Sequence, residues 1–518
     1  MPHLRARPLP AEPRGLALLW LAAFVVAFVL YAASAQRGMQ SQDSGWQQYR
    51  IVSGQLEHPR GLALSHPIHF YLSRLAIKLW FGEPAFAITL VSAFAAAVAV
   101  ANVLLTLYVL LARLAPAVIA SAALLFAHTF WQHATHTESY ALVAALLTGE
   151  WLCLTLFATT GRPGALLLVA LLNGLGVANH LLALLATPAD AAAILWAART
   201  RRALPPLVRN AVLLWLLGLL PYVWFVGSVA YRTGEVTDTL RSAVFGAYKD
   251  DVFDWHVGLR ALGMSLAFVA YNFPNLTVPL AILGIARRQC LPTLLRRVWL
   301  AELLLYALFV LSYSVADQYT FFFPLYGLLA LFAGAGLAGV QRWRRRNWRQ
   351  TLLAAAAVSA LWPPLLYIAT YQLLSARGWL SQVVRNKPYR DGYRAVFIPW
   401  GAGDDAAERL NRDVAALVGD NGLILFPDHM QRFSILYEQA IGRFPAGVEL
   451  LKLEPPDPPP QVIAERQALL EQYLAVGRPV VLVPYDRDRP DAGVEEAQWS
   501  RHGDVYRLES LAPHVGPR

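Results

Sequence analysis

The sequence predicts an α-helical polytopic membrane protein of about eleven spans, followed by a small C-terminal α/β domain. Of its 518 residues, 57% are hydrophobic and 15% are charged, against about 25% charged in soluble proteins. This leaves too little polar surface for a soluble protein of this size. Residues 1–371 carry a net charge of +13 and residues 372–518 a net charge of −3. We therefore predict a multispan domain over 1–372 and a separate domain over 373–518.

The first span is predicted over the apolar run 15–35, which follows Arg5, Arg7 and Arg14. About 20 apolar residues suffice to cross the roughly 30 Å hydrocarbon core of a bilayer. The small residues Ala33–Ala35 also fit the cleavage site of a signal peptide. The length of the run favours a retained span.

Ten further apolar runs can be read along the chain. They are residues 84–112, 115–131, 139–159, 164–179, 181–198, 208–228, 263–286, 298–316, 321–341 and 351–372. Near Asn179, Pro188 and Asp190 could instead indicate a broken or re-entrant helix.

The orientation follows from basic residues in alternate connectors. Arg113, Arg162, Arg199, Arg287 and Arg349 fall on the same side as the N-terminus. By the positive-inside rule that side is cytoplasmic, and an odd number of spans places the C-terminal domain outside. Arginine outnumbers lysine 40 to 4, which is typical of a GC-rich bacterial genome. We expect an integral protein of a bacterial inner membrane, surrounded by membrane lipid.

From about Gly378 the hydrophobic pattern changes, and short apolar segments alternate with segments of helical periodicity. Strands are predicted near residues 395–399, 422–428, 447–454 and 479–485, and helices over 404–418, 430–441 and 461–476. This order indicates an α/β domain with a largely parallel sheet.

Several function classes find little support in the sequence. The basic residues are explained by topology, so we expect no nucleic-acid partner. Cys153 and Cys290 fall in or beside spans and predict neither a disulfide framework nor a metal site. A transporter would carry polar groups near the membrane midplane, where Glu150, Asp190, Asn173 and Asn272 are the candidates. A membrane scaffold with an outer α/β domain is the other alternative.

The candidate chemistry lies at span ends on the predicted outer face. The first outer loop, residues 36–83, is much longer than the usual connection of about 4 to 6 residues and carries Asp43. Glu138 and Asp317 occupy two other outer span ends. Ionisable groups near membrane depth are costly and suggest function. The structural alternative for Glu138 is a partner for a helix N-terminus, and for Asp317 a helix cap.

Four segments resemble the motifs of a membrane family related to the protein O-mannosyltransferases, within the GT-C superfamily. They are DSG at 43–45 with the later His66–Pro67 pair, FWQHATHTESYAL at 130–142, GVANHLLAL at 176–184 and NGLILFPDHMQRFSILYEQ at 421–439. The chain departs from the family pattern at Trp46 and at Ile68, His69 and Phe70. In the tail segment it keeps only Asp428 of the acidic set.

The resemblance implies a glycosyltransferase that uses a sugar linked to polyprenyl phosphate. Its acceptor would be a hydroxyl of a protein, lipid or glycan outside the cytoplasm. Such a hydroxyl must lose a proton when it attacks the anomeric carbon, and a fixed carboxylate can accept that proton. The candidate catalytic residues are Asp43 as base and Glu138, and we expect both to face one outer cavity.

Other residues are candidates for binding the two substrates. Guanidinium groups suit the charge of the leaving phosphate. A divalent metal is an alternative, with His133, His136 and Glu138 as ligands if their segment is helical. The candidate substrate-binding residues are Arg60, His66, His69, Arg74, Tyr140, Asn179, His180 and Asp317.

Overall fold

A computed structural model describes residues 9–200, 204–247, 258–313, 315, 317–342, 345–453, 460–487 and 497–511. Contacts between residues divide the chain into two compact units. The helical unit comprises Met1–Ala35, Leu56–Ala76 and Thr89–Leu366, and the α/β unit comprises Gln36–Gln55, Ile77–Ile88 and Tyr367–Arg518. The predicted division into 1–372 and 373–518 stays a prediction.

Helices make up most of the chain before residue 378. The α-helices are α1 (Pro13–Ser34), α2 (Gln42–Ser53), α3 (Pro67–Leu79), α4 (Pro84–Leu111), α5 (Leu114–Leu125), α6 (His128–Thr135), α7 (Tyr140–Thr160), α8 (Gly164–Asn179), α9 (Thr187–Thr200), α10 (Leu204–Thr233), α11 (Val236–Phe245), α12 (Leu259–Asn272), α13 (Thr277–Ala286), α14 (Thr293–Ser312), α15 (Phe323–Val340), α16 (Arg346–Leu361) and α17 (Pro363–Arg377). Short 3₁₀ turns cover Leu62–Leu64, Leu181–Leu185, Arg288–Cys290 and Gln318–Phe322.

By length and apolar composition, five segments of the described chain can cross a membrane. They are Pro13–Ser34, Pro84–Leu111, Tyr140–Thr160, Pro205–Thr233 and Gln318–Val340. Three bent pairs, α5 with α6, α12 with α13 and α16 with α17, bring the number to eight if each pair is one span. The protein is therefore an integral membrane protein. The larger count of about eleven stays a prediction.

Proline accounts for two of the three bends and for part of the difference from the predicted spans. The residue before a proline disfavours helical geometry, and Pro274 and Pro363 stand at bends of 107° and 50°. The run 181–198 is not one helix either. It consists of a 3₁₀ turn and then α9, which has Pro188 in its first turn. This agrees with the alternative of a broken helix near Asn179.

The α/β unit contains a five-stranded mixed sheet in the order β2-β1-β3-β5-β4. The strands are β1 (Leu423–Phe426), β2 (Glu449–Lys452), β3 (Val480–Leu482), β4 (Ala497–His502) and β5 (Val505–Leu511), and the helices are α18 (Gly392–Phe397), α19 (Ala406–Val418), α20 (Phe433–Ala440) and α21 (Pro460–Ala475). β1 is parallel to both of its neighbours, whereas β5 is antiparallel to β3 and β4. Apolar clusters cover both faces of the sheet, with α19 on one and α21 on the other.

Two details of the predicted sheet were wrong. Residues 395–397 belong to α18 and not to a strand, because Asp391 caps that helix by accepting from the backbone N–H groups of Tyr393 and Arg394. The antiparallel hairpin of β4 and β5 was missed. Its signal is the Gly503–Asp504 pair between two alternating runs, where Gly503 has the positive φ of 63° that tight hairpin turns favour.

Candidate functional site

The His66–Pro67 pair and the Asn179–His180 pair meet in the helical unit. Pro67 is the first residue of α3, a position that suits its fixed φ. The Asn179 side-chain Oδ1 accepts from the backbone N–H of His69 at 3.0 Å, so a residue of α8 satisfies the start of α3. His66 Nδ1 lies 2.9 Å from the carbonyl oxygen of Asn179. These bonds join two sequence segments that lie 113 residues apart.

His66 has a left-handed backbone with φ of 49°. A non-glycine residue in that region costs on the order of 1 to 3 kcal/mol and needs support from its surroundings. Here the support is the bond to Asn179 and the imidazole ring of His180, which stacks on that of His66 with centroids 4.7 Å apart. Such strain concentrates at functional sites.

Aromatic side chains extend this contact to three more segments. The Tyr140 ring lies 5.0 Å from the His180 ring and 5.2 Å from the His133 ring, between centroids. Phe321, from the turn before α15, packs edge-on against Tyr140 at 5.6 Å. The ends of α3, α6, α7 and α8 and the turn before α15 therefore meet around one group of rings.

Two carboxyl groups, those of Asp317 and Glu138, act electrostatically on the Tyr140 hydroxyl, and the Thr320 side chain lies near it. The Ser92 hydroxyl holds Glu138 in place, because it accepts from the Glu138 N–H and lies 3.0 Å from the Glu138 carbonyl. The structure thus brings Tyr140, Asp317 and Glu138 together with His66, Asn179 and His180.

Asp317 does not act as a helix cap. It stands before the 3₁₀ turn Gln318–Phe322, and its side chain makes no capping hydrogen bond there. Burial raises the pKa of the Asp317 carboxyl above its ordinary value. A desolvated carboxyl that acts on a tyrosine hydroxyl is typical of a site that handles protons.

Asp43 lies in the α/β unit, on the first turn of α2, and its side chain is exposed. The helix α2 begins at Gln42, and Ser41 occupies its N-cap position. Asp43 therefore interacts with the helix dipole from inside the first turn and is not the cap residue. The prediction that Asp43 and Glu138 face one cavity stays a prediction.

The remaining candidates differ in exposure. Arg60 is exposed, Arg74 is half-buried on α3, and His69 is 2% exposed. Arg232, which could also be considered for phosphate binding, forms an ion pair with Glu57. Arg60 and Arg74 stay candidates in the first outer loop.

The metal alternative required a helix through His133, His136 and Glu138. In the structure α6 ends at Thr135. The His133 ring packs against Tyr140 and Phe323, whereas His136 Nδ1 lies 2.9 Å from the Gln132 carbonyl. Across the described ranges, no three His, Cys, Asp or Glu side chains are arranged to hold a metal ion.

Ser92, Thr320 and Phe321 are parts of this site that the sequence analysis missed. Each stands in or beside an apolar run, where a lone hydroxyl or ring carries no pattern of its own. Their contribution depends on which helix ends meet.

Part of this chain is similar to a known protein family. The family model of the protein O-mannosyl-transferase TMEM260 N-terminal domain matches residues 43–203. That range includes Asp43, His66, Glu138, Tyr140 and Asn179. A search of curated protein sequences finds no match.

Solved structures resemble the whole chain. ArnT from Cupriavidus metallidurans bound to undecaprenyl phosphate superposes with a TM-score of 0.55 at 15% identity, covering 98% of this chain and 100% of that one. Its apo state gives a TM-score of 0.55 at 14% identity, with the same coverage. Arabinofuranosyltransferase AftD from Mycobacteria gives 0.52 at 14% identity, covering 99% of this chain but 42% of that one. With its apolar helices and its small C-terminal sheet, this chain is a polytopic membrane protein whose fold resembles those of ArnT and AftD, and its residues 43–203 are similar to the TMEM260 N-terminal domain.

Proposed function

We propose that the protein is a membrane glycosyltransferase that moves a sugar from a polyprenyl-phosphate donor to an acceptor hydroxyl on the extracytoplasmic face. The observation that carries this proposal is the meeting of three separate motifs at one group of helix ends. His66, Tyr140, Asn179 and His180 contact one another there. Structures of ArnT and AftD support the same activity class, and undecaprenyl phosphate bound to ArnT supports the class of donor.

In the proposed reaction the acceptor oxygen forms a bond to the anomeric carbon while the bond from that carbon to the phosphate oxygen breaks. The acceptor proton passes to a carboxylate, and Asp43 is the proposed base. Its exposed position on the first turn of α2 leaves it open to a bound acceptor. A positioned base of this kind contributes typically 10² to 10⁴ in rate.

The leaving phosphate needs positive charge or hydrogen-bond donors. Arg60 and Arg74 are the proposed guanidinium ligands, and His66, His69 and His180 could donate to the same group. We further propose that Tyr140, Asn179, Glu138 and Asp317 orient the sugar or acceptor hydroxyls, because hydroxyl groups pair well with carboxylate and amide oxygens. A divalent metal at the phosphate is the alternative source of charge.

The decisive experiment compares Asp43→Asn with Asp238→Asn. Asp238 is also an exposed acid in the first turn of a helix, α11, so both variants lose the same helix-dipole interaction of about 0.3 to 1 kcal/mol. Purified protein in nanodiscs is supplied with polyprenyl-phosphate mannose and polyprenyl-phosphate arabinose, and release of polyprenyl phosphate is measured with and without a chelator.

We expect turnover with one of the donors, a loss of about 10² to 10⁴ in Asp43→Asn and little change in Asp238→Asn. Equal turnover in the wild type and Asp43→Asn would remove Asp43 as base. Absence of donor turnover and of donor binding would instead favour a scaffold or transporter. A loss of activity with the chelator, restored by one cation, would establish a metal requirement.

A further inference from the structure

Three carboxyl groups meet in the interior of the helical unit, away from the group of rings described above. Glu150 on α7 and Glu302 on α14 are fully buried, and Asp190 on α9 is 3% exposed. Glu150 and Asp190 lie within hydrogen-bonding range of each other, and Glu302 is close enough to act on both. Glu150 lies about 15 Å along α7 from the start of that helix, at 1.5 Å per residue. The cluster therefore lies well inside the membrane-spanning part.

The oxygens of these carboxyls are only partly satisfied. Trp151 Nε1 donates to Glu302 at 2.6 Å, and Asn173 Nδ2 donates to Glu150 at 3.3 Å. One oxygen of each glutamate and both oxygens of Asp190 have no hydrogen-bond partner within the described part of the chain. A buried acceptor in this state costs about 1 to 3 kcal/mol, and more if it is charged.

A fourth side chain points into the same cluster. Tyr306, one turn after Glu302 on α14, is fully buried, and all three carboxyls act on its hydroxyl. That hydroxyl has no partner among the described residues. The Tyr306 hydroxyl and the unpaired carboxyl oxygens that it faces lack hydrogen-bond partners among the described residues. They therefore need a further bound species to satisfy them.

Three ionised carboxylates cannot remain together in an apolar interior, because each desolvated charge costs several kcal/mol. A basic side chain could neutralise them, but within the described ranges the groups acting on them are one another, Asn173 and Trp151. A metal ion could also do so, but the described residues offer no group of three acidic or metal-binding side chains arranged as its ligands. Protons are the remaining source of positive charge.

We propose that Glu150, Asp190 and Glu302 form an intramembrane proton-binding site in which the protonated carboxyl of one residue donates to an oxygen of its neighbour. The buried Tyr306 hydroxyl faces the same site. The bound protons neutralise carboxylates that could not remain charged together in this interior. The site is independent of the proposed transferase activity.

The site also has a physical link to the turn that follows Asn179 and His180. Asn173 donates to Glu150 and to the Ala183 carbonyl at 3.2 Å. Its Oδ1 accepts from Thr187 and from Trp215. Release of the proton would leave a carboxylate beside this amide and change the bonds that hold Leu181–Leu185. Proton binding thus keeps that turn in place.

Infrared spectroscopy of the full-length protein in nanodiscs tests the proposal. At neutral pH we expect a C=O stretching band of protonated carboxylic acids that shifts in D₂O. Glu150→Gln, Asp190→Asn and Glu302→Gln should each lose one component of this band, whereas Glu235→Gln, at an exposed carboxyl, should keep all of it. Because a neutral amide replaces a neutral acid, we expect the variants to fold.

Absence of that band in the wild-type protein overturns the proposal whether or not any variant folds. A second measurement addresses a metal cation. If Na⁺ or Ca²⁺ raises the thermal midpoint of the wild type but not that of Glu302→Gln, a metal neutralises the cluster and the proposal is wrong. A midpoint that is indifferent to these cations supports it.

Discussion

The indole ring of Trp46 packs against the phenyl ring of Phe433, with centroids 4.7 Å apart. This contact fixes α2, the helix that carries Asp43, within the α/β unit. Other bonds act in the same unit: Gln42 forms a hydrogen bond to Asp428, and Gln48 Nε2 donates to the Ala85 carbonyl at 3.4 Å. These contacts hold α2 within the α/β unit.

Phe433→Ala should detach α2. Turnover should fall by a larger factor than any loss of stability in the helical unit would explain. Phe433 is 5% exposed, and removing a buried phenylalanine side chain costs about 3 to 5 kcal/mol. We expect faster hydrogen exchange over Gln42–Ser53, with exchange over Tyr140–Thr160 unchanged. Val476→Ala, at a valine that is 65% exposed, is the control. Unchanged exchange in α2 would show that the Trp46 contact does not position it.

Asn179→Ala should destabilise the start of α3. The variant leaves the His69 N–H without its acceptor, at a cost of about 1 to 3 kcal/mol, whereas the backbone carbonyl that lies 2.9 Å from His66 Nδ1 remains. We expect a lower thermal midpoint and a larger Michaelis constant for the donor. Asn210→Ala, at a partly exposed asparagine of α10, should change neither. A normal midpoint in Asn179→Ala would mean that water replaces the lost amide.

Glu408 predicts a pH dependence of stability in the α/β unit. Burial, followed by the nearby carboxylates of Asp404 and Asp405, raises the pKa of Glu408 to about 7. The folded state therefore holds a proton that the unfolded state releases above about 4.3. Its contribution is complete below that value and is lost as the pH rises through about 7.

Glu408→Gln should remove this dependence and raise stability at pH 8 by about 1 kcal/mol, after allowance for solvent screening. Thermal unfolding from pH 5 to 8 is the measurement. Asp420→Asn, at an exposed carboxyl of the same unit, is the control. Parallel pH profiles for the wild type and Glu408→Gln would contradict the prediction.

The tail after Ser375 is predicted to lie outside the cytoplasm. The pair α16 and α17 passes the length and composition test for one bent span, and Arg349 lies near the start of the pair. Reporters fused after Arg349 and after Gly378 should therefore read opposite sides of the membrane. The same side for both fusions would exclude the orientation derived from the positive-inside rule.

Particular elements show what the sequence alone could predict. α1, α4 and α7 lie within two residues of the predicted runs, because an apolar stretch of about 20 residues has one stable structure in lipid, with all backbone groups paired inside the helix. The motif residues His66, Tyr140 and Asn179 lie near one another in the structure, although each motif is short. Their roles in a site stay predictions.

The local sequence patterns did not predict the hairpin of β4 and β5 or the bends at Pro274 and Pro363. A short polar strand of a mixed sheet gains its stability from cross-strand partners, which are far away in the sequence. The sequence of β4, AQWSRH, gives no indication that β5 is its neighbour in the sheet.

Composition and apolar run length by themselves determined that this chain is a multispan membrane protein with a small C-terminal α/β domain. Only the tertiary structure decided that the Asn179 amide satisfies the start of α3, that Ser92 holds Glu138 and that Glu150, Asp190 and Glu302 share one interior. Those relationships depend on which helix ends and faces meet. They arise from packing between segments that are distant in the sequence, whereas a span is decided by the free energy of transferring one segment into lipid.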